Sequence, residues 1–368
     1  MITLDTHERM LFALLSAALS SKTPDEALFL SATADDWRRC CRLATRNGVL
    51  IIAWDAAKLL PAVLQPPMAV KVSWALAVEN YEKKYMSYCN AVCELSDFYE
   101  ANGIRMVQMK GVGLSTCYPV PSHREGGDID IYTYSADVAT RSDDEANALA
   151  NKLMQERGIE VDYDHSSKHT IFYYNGIPVE NHRTFVDAGD YEIGPMVEEM
   201  LKRLLSPQRV ELLPGRYIYA PSPQFNTLFL AFHAAQHYGA GLALHHLCDW
   251  ACHINKHGLH LPVELNDVHF VNGVKAFTHL CNNYLGSSIP VEGGEKLADR
   301  IMEDIIHPFS EMKRPSTFCG IVKYKLKEYS YIYPVRNYIL HTPLWRNAEF
   351  WGNVFRPIGN KILSIWQS

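Results

Sequence analysis

The chain has 368 residues, 48% of them hydrophobic and 21% charged, an ordinary globular balance with enough apolar material for a large core. At about 100–200 residues per domain, two or three domains are expected. A formal net charge of −6 argues against a protein that coats nucleic acid.

The first hundred residues read as helices. Met10–Leu19 (MLFALLSAAL) imitates a signal-peptide core, but Asp5 and Glu8 stand where a basic flank belongs, and the run is too short for a bilayer. It is expected to be a buried helix. Asp35-Asp36 looks like a cap before a helix at Trp37–Asn47, and Lys71–Ala101 is a long helical pattern without Pro or Gly. No other segment reaches a transmembrane length.

The character changes at Gly103. Ile104–Met109 is a short apolar run between glycines and predicts a strand, followed by a helical stretch at Val112–Cys117 and a Pro-rich loop. Asp128–Thr133 (DIDIYT) alternates acidic and apolar residues and predicts a second strand. Asp143–Arg157 predicts a helix ending at Gly158. His169–Tyr174 and Ile177–His182 flank Asn175-Gly176, the favoured pair of a two-residue hairpin turn. From about Met196 helical patterns return, Gln224–His253 the longest of them. The expected division is a helical region at 1–102, an α/β core at 103–192, and a helical region at 193–368 that ends in a basic, aromatic tail.

That tail, Lys313–Ser368, has nine basic and two acidic residues, so it carries +7 and the remainder −13. With Trp345, Phe350, Trp351, Phe355, Ile362 and Trp366 it is expected to dock on the acidic body rather than on a membrane, because no clear basic face is visible. The nine cysteines show no CxxC and no framework spacing; Cys89/Cys93 and Cys248/Cys252 are i,i+4 pairs in helical patterns. Free thiols packed as small hydrophobes suit a reducing cytosol, so a cytoplasmic location is expected.

The chemistry concentrates in the middle of the chain. Alternate strand residues share a face, so Asp128 and Asp130 point the same way. Two carboxylates that close repel unless a cation lies between them, and a divalent ion with oxygen ligands is the usual solution. If Tyr174 pairs with Ile177, the hairpin register sets Glu180 opposite Ile171 and His182 opposite His169, all on one face. Glu180 beside the Asp-x-Asp strand would complete a three-carboxylate site able to hold two magnesium ions, or manganese, against a triphosphate. Lys110 and Gly111, at the end of the first strand, are candidates for gripping phosphate, as is Arg124. Arg124 has the alternative of pairing with Asp128 or Glu125. His182 either forms a cross-strand pair with His169, orients Glu180, or contacts substrate.

His233 and His237 share one helix face by their i,i+4 spacing and are expected to line the cleft, where they either contact substrate or hydrogen-bond to buried backbone groups. Together with Cys248, Asp249, Cys252 and His253 they show no recognised zinc spacing. The Gln224–His253 segment, which also holds Tyr238, His245 and His246, is expected to pack over the acids as a second wall.

These residues resemble the DNA polymerase β-like nucleotidyltransferase superfamily, and more narrowly a family of uncharacterised bacterial nucleotidyltransferases. The resemblance rests on Lys110-Gly111, Tyr118-Pro119, Arg124, Gly127-Asp128-Ile129-Asp130 and Glu180-Asn181-His182. It extends outward to Trp37–Ile52 and to His233–Asp249, over roughly residues 10 to 260. The superfamily's usual Gly-Ser turn is Lys110-Gly111 here, and the third acid is Glu where Asp is common. The resemblance implies an α+β fold, a small mixed sheet between helical flanks. It also implies transfer of a nucleoside monophosphate from an NTP to an acceptor, with release of pyrophosphate. Asp128, Asp130 and Glu180 would be the metal-binding and catalytic acids. The acceptor is open among protein, small molecule and RNA. The alternatives are a non-catalytic interaction protein on the same fold and an enzyme acting on RNA ends.

Overall fold

The computed structural model describes residues 3–137, 139, 141–163, 168–308, 323 and 338–341. The aromatic tail residues Trp345 to Trp366 lie outside them.

The apolar run near the start folds as α1 (Thr6–Leu19), with Met10, Leu11, Leu14 and Leu15 buried. The Glu8 carboxylate accepts from the Asp5 amide at 2.7 Å and so ties down the first turn. The next helix, α2 (Ala34–Arg46), starts earlier than its sequence suggests. Thr33, not Asp35-Asp36, is its cap: the Thr33 hydroxyl accepts from the Asp36 amide while the Asp36 carboxylate accepts from the Thr33 amide. An apolar segment, α3 (Leu50–Ala57), leads to the 34-residue α4 (Met68–Ala101).

A mixed seven-stranded sheet forms the middle layer. Its strands are β1 (Ile104–Gln108), β2 (Ile129–Ser135), β3 (Val161–Asp162), β4 (His169–Tyr174), β5 (Ile177–His182), β6 (Gln208–Leu213) and β7 (Arg216–Ala220). In space they run β3-β4-β5-β2-β1-β7-β6. The β2–β5 and β1–β7 pairs are parallel and the others antiparallel. The remaining helices are α5 (Val112–Ser115), α6 (Asp143–Glu156), α7 (Gly194–Leu204), α8 (Pro223–Gly241), α9 (Leu244–His257), α10 (Val268–Tyr284) and α11 (Glu295–Ile306). The result is an α+β architecture of the expected class, with eleven α-helices among the described residues. None of the described helices is long and apolar enough to cross a membrane.

Two apolar cores flank the sheet. One face, with Met106, Ile129, Ile131, Phe172 and Val179, packs against the second half of α4 and against α6. The other core is mainly helical, built by α1–α3, the start of α4 and α7–α11. α4 serves both: Trp74 is fully buried in the helical core, where its indole N–H donates to the Leu50 carbonyl at 2.7 Å, while Cys89 to Tyr99 lie under the sheet.

The hairpin register is the expected one, with Tyr174↔Ile177, Ile171↔Glu180 and His169↔His182. Asn175 (φ 52°) and Gly176 (φ 77°) both adopt the positive φ that such a turn requires. Two readings need correction. The stretch read as helical from residue 193 contains the β6–β7 hairpin, turned at Pro214-Gly215 with Gly215 at φ 74°. In β7 Ile218 and Ala220 are buried and Tyr217 is exposed, a period of two that five residues were too few to announce. The Gln224–His253 segment is two helices, because Gly241 (φ 129°) and an extended Leu242 interrupt it. Asn47 takes up the Leu244 and His245 amides that the break leaves without helical partners.

A 3₁₀ turn, Pro121–His123, anchors the loop that leads into β2. His123 is buried and both ring nitrogens face carboxylates: Nδ1 is 2.6 Å from Asp55 of α3, and Nε2 is 3.0 Å from Glu82 of α4. Burial alone would lower the His123 pKa; the bonds to Asp55 and Glu82 outweigh it and raise it. A raised folded-state pKa contributes stability that is complete below the unfolded value of about 6.5 and disappears as pH climbs through the folded value. His123→Gln should therefore cost most stability in mildly acidic solution, the gap from the parent closing as pH rises. Urea midpoints of both proteins across pH check this, and a gap independent of pH would contradict it.

Candidate functional site

At the end of β1 the chain must turn sharply to enter α5. Gly111 supplies φ 64° and ψ −131°, a conformation closed to L side chains, and a Cβ there would lie 3.1 Å from Gln108 Nε2. Gln108 in turn donates to the Lys110 carbonyl at 2.9 Å. The turn leaves Lys110 reaching across to the neighbouring strand, where its Nζ lies 3.2 Å from Asp130 Oδ1.

Parallel pairing of β2 with β5 sets Asp130 beside Glu180 and Tyr132 beside His182. Asp128 immediately precedes β2, and its carboxylate joins the other two: one oxygen from each of Asp128, Asp130 and Glu180 falls within 4.8 Å of the others. On the opposite face of the same strands, a buried polar network holds the register. Asn181 Oδ1 accepts from Thr133 (2.9 Å) and from Asn147 of α6 (3.0 Å), and its Nδ2 donates to Asn151 (2.9 Å). Asn147 also donates to the His182 carbonyl at 3.0 Å.

The electrostatics of the three acids differ. Asp130 is fully buried; burial would raise its pKa, but Lys110 and a 3.1 Å contact from His182 Nε2 hold it well below the usual carboxylate range. Asp128 is pushed up by burial and by the like charge of Asp130, with Lys110 only partly opposing. For Glu180, burial is outweighed by His182, 3.4 Å away, and its pKa is lowered. His169 Nδ1 stands 3.6 Å from the same Glu180 oxygen, so both histidines of the hairpin pair flank that acid. The same three acids raise the pKa of Lys110 against the effect of burial, which keeps it charged.

Asp130 Oδ2 is buried and has no hydrogen-bond partner. An orphaned anionic oxygen costs stability unless a cation meets it. Beside it stand Asp128, which still carries an unrelieved repulsion, and Glu180. This all-oxygen donor set fits a hard divalent ion such as magnesium or manganese.

The acids form one side of a cleft of about 880 Å³. α8 and α9 form the other, so the expected second wall is present, built by two helices instead of one. His233 and His237 line it together with His245 and His246 of α9. His233 Nε2 lies 3.4 Å from Lys110 Nζ, which links the two sides. The start of α9 is fixed by Asn47, whose side-chain oxygen accepts from the Leu244 amide and whose carbonyl accepts from the His245 amide, both at 3.2 Å.

Arg124 lines the same cleft, but its ion-pair partner is the carboxylate of neither Asp128 nor Glu125. Its Nε and Nη2 donate to the two oxygens of Asp249 on α9, at 2.8 and 2.7 Å. The Tyr118 hydroxyl donates to Asp249 Oδ1 at 2.5 Å. Glu125 instead accepts from the Ile51 amide at the start of α3 (3.2 Å). Sequence reasoning also passed over Lys84 and Tyr88 of α4. They donate to the carbonyls of Gly126 (2.7 Å) and Gly127 (2.9 Å) and hold the loop that delivers Asp128. Nothing in a helical pattern distinguishes those two residues from a solvated face. The structure thus brings Lys110, Gly111, Arg124, Asp128, Asp130, Glu180, His182, His233 and His237 to one cleft.

A family model described as an uncharacterised nucleotidyltransferase matches residues 33–286. No curated protein matches the chain. Among solved structures, an antigenic nucleotidyltransferase-like protein from Paracoccidioides brasiliensis is similar at 13% identity, covering 60% of this chain and 96% of that one, with a TM-score of 0.35. A likeness that low supports no argument about the site.

The Arg124–Asp249 pair spans the cleft between the loop before β2 and α9, with both side chains 9% exposed. Removing one charge of such a pair leaves the other buried and alone, at a cost of about 3–5 kcal/mol. Asp249→Asn should lower the unfolding free energy by that order, measured by urea denaturation. Replacing both partners with apolar residues of similar volume should recover most of the loss. A change under about 1 kcal/mol for Asp249→Asn, the range of a solvent-screened pair, would show that water already reaches it.

Proposed function

The chain belongs to the uncharacterised nucleotidyltransferase family, and from that premise we propose that it moves a nucleoside monophosphate from an NTP to an acceptor, releasing pyrophosphate. The observation that carries the reading is the convergence of Asp128, Asp130 and Glu180, with the buried Asp130 Oδ2 left without a hydrogen-bond partner. In this reading the acceptor's nucleophilic atom bonds to the α-phosphorus while the bond from that phosphorus to the bridging oxygen breaks, and the electron pair leaves with pyrophosphate.

The three carboxylates would hold magnesium or manganese, which when bound neutralises triphosphate charge and acidifies the attacking group. Asp130 is suited to permanent ligation because Lys110 and His182 keep it ionised. Glu180 is the most exposed of the pair it forms with Asp130, at 25% against 1%, and can take the acceptor's proton. His182 orients it. Lys110, whose ammonium stands 3.2 Å from Asp130, would add positive charge for the phosphates. The backbone N–H groups beyond Gly111 offer a second contact to phosphate. Arg124 keeps the α9 wall in place through Asp249 and adds positive charge to the cleft. The reading also includes a polymerase β-like core for the sheet, with helical regions before and after it. The acceptor is left as a protein, small molecule or RNA; the cleft's imidazole-lined wall is where it would sit.

Asp128→Asn and Asp130→Asn should each reduce transfer on the order of 10³-fold or more, with circular dichroism unchanged. The assay follows labelled NTPs and pyrophosphate release in magnesium, with a cell extract as the source of acceptor, and repeats it after chelation. Near-parental turnover in either variant would overturn the assignment of these acids.

A further inference from the structure

We propose that His233, His237 and His246 form a binding site for one zinc-class divalent ion, separate from the three carboxylates and open to the same cleft. The proposal does not rest on nucleotidyl transfer, and either can fail without the other.

The geometry comes from the break at Gly241. His233 and His237 lie one turn apart on α8 and present their rings together, with centroids 4.5 Å apart. Because the chain stops at Gly241 and reverses, the first turn of α9 returns His246 to the same spot. Its ring is 4.4 Å from that of His237 and 5.4 Å from that of His233. One nitrogen from each of the three lies within 4.8 Å of the others. An uninterrupted helix would have carried His246 away along the axis, which is why the spacing in the sequence shows no metal motif.

The chemistry fits a borderline metal. His246 Nδ1 lies 3.3 Å from both the amide nitrogen and the carbonyl oxygen of Ala243; in the Nδ1–H tautomer it donates to that carbonyl and leaves Nε2 as the metal-binding lone pair. The His245 ring lies tilted against the same ring, centroids 3.9 Å apart, and is itself tied to the Asn47 carbonyl, so the His246 ring has little freedom. Burial, reinforced by Lys110 and by neighbouring histidines, keeps all three imidazoles neutral, His237 being lowered to about 4. Neutral imidazoles need lose no proton to bind a metal at pH 7. Three nitrogen donors select zinc, cobalt or nickel over magnesium, which demands oxygen. The nearest opposing charge is Lys110, 3.4 Å from His233, and Asp130 balances it at 3.2 Å. Three protein ligands leave a position open to the cleft, as in sites where the ion meets solvent or substrate.

The full-length protein, stripped with a chelator, is titrated with Zn²⁺ against a chromophoric competitor and with Co²⁺ by visible absorption. The expected result is one tight equivalent that Asp128→Asn retains. His237→Gln and His246→Gln should weaken it at least on the order of 100-fold. His246 is buried, so the half-buried His237→Gln variant, checked by circular dichroism and Tm, is decisive by itself. Cys117, just beyond α5, also converges with His253 and His257 of α9, and Co²⁺ held there would show thiolate charge-transfer absorption. That band, binding insensitive to His237→Gln, binding lost with Asp128→Asn, or no equivalent tighter than about the micromolar range would each overturn the proposal.

Discussion

A carboxylate without exposed surface has to find its countercharge inside the protein, and Asp130 is such a group. The construction around the cleft answers that demand. Lys110 can reach Asp130 because β1 ends beside it in the Gly111 turn, and His182 can reach it because β5 lies parallel on the other flank. Parallel neighbours require a long crossover, here running through α6 and the β3–β4 strands. The register of that pairing is critical, since a slip of one residue would turn Glu180 and His182 to the opposite face. The Asn181 network prevents the slip from beneath. Its donors and acceptors are satisfied in one alignment only, and misalignment would strand several buried amides. The charged face and the polar network are two sides of one constraint on β2 and β5.

Much of this was legible in the chain itself, because the informative signals were local. Asn175-Gly176 specified a turn with a single register, and that register alone placed Glu180, His182 and His169 on one face. The alternation of Asp128-Ile129-Asp130 carried the acids. What escaped reading depended on partners distant in sequence. Asp249 reads as one acid on a helix until the fold brings Arg124 and Tyr118 to it. The β6–β7 hairpin was obscured because Pro214-Gly215 joins strands too short to show a period, and because β7 gains its place only by lying alongside β1. The reversal at Gly241 was missed for a related reason. A helical hydrophobic pattern continues through it, and one glycine in such a pattern is ambiguous until the packing of α9 on α8 is known.

The cleft has two walls of different chemistry. The sheet side is anionic and oxygen-rich; the helical side is neutral and nitrogen-rich, its imidazoles held uncharged by burial. Lys110 stands at the boundary between them, touching Asp130 on one side and His233 on the other. Any ligand that draws Lys110 toward itself therefore alters the surroundings of both walls together. That coupling needs no movement of the backbone, only a change in which neighbour the ammonium group serves.

The long helix α4 belongs to both cores, with Trp74 in one and Tyr99 in the other. Between those two residues, Lys84 and Tyr88 hold the glycine carbonyls ahead of Asp128. Its peptide bonds are thus a single mechanical member clamped at both ends, with the acid-bearing loop fastened at midspan. Such a member resists local fraying, because releasing either end means exposing a whole core. Amide protons in the middle of α4 would then exchange with solvent only through the rarest, most extensive openings of the molecule. The loop that delivers Asp128 is tied to this member by two side-chain hydrogen bonds, so its anchor points are as persistent as the helix that carries them.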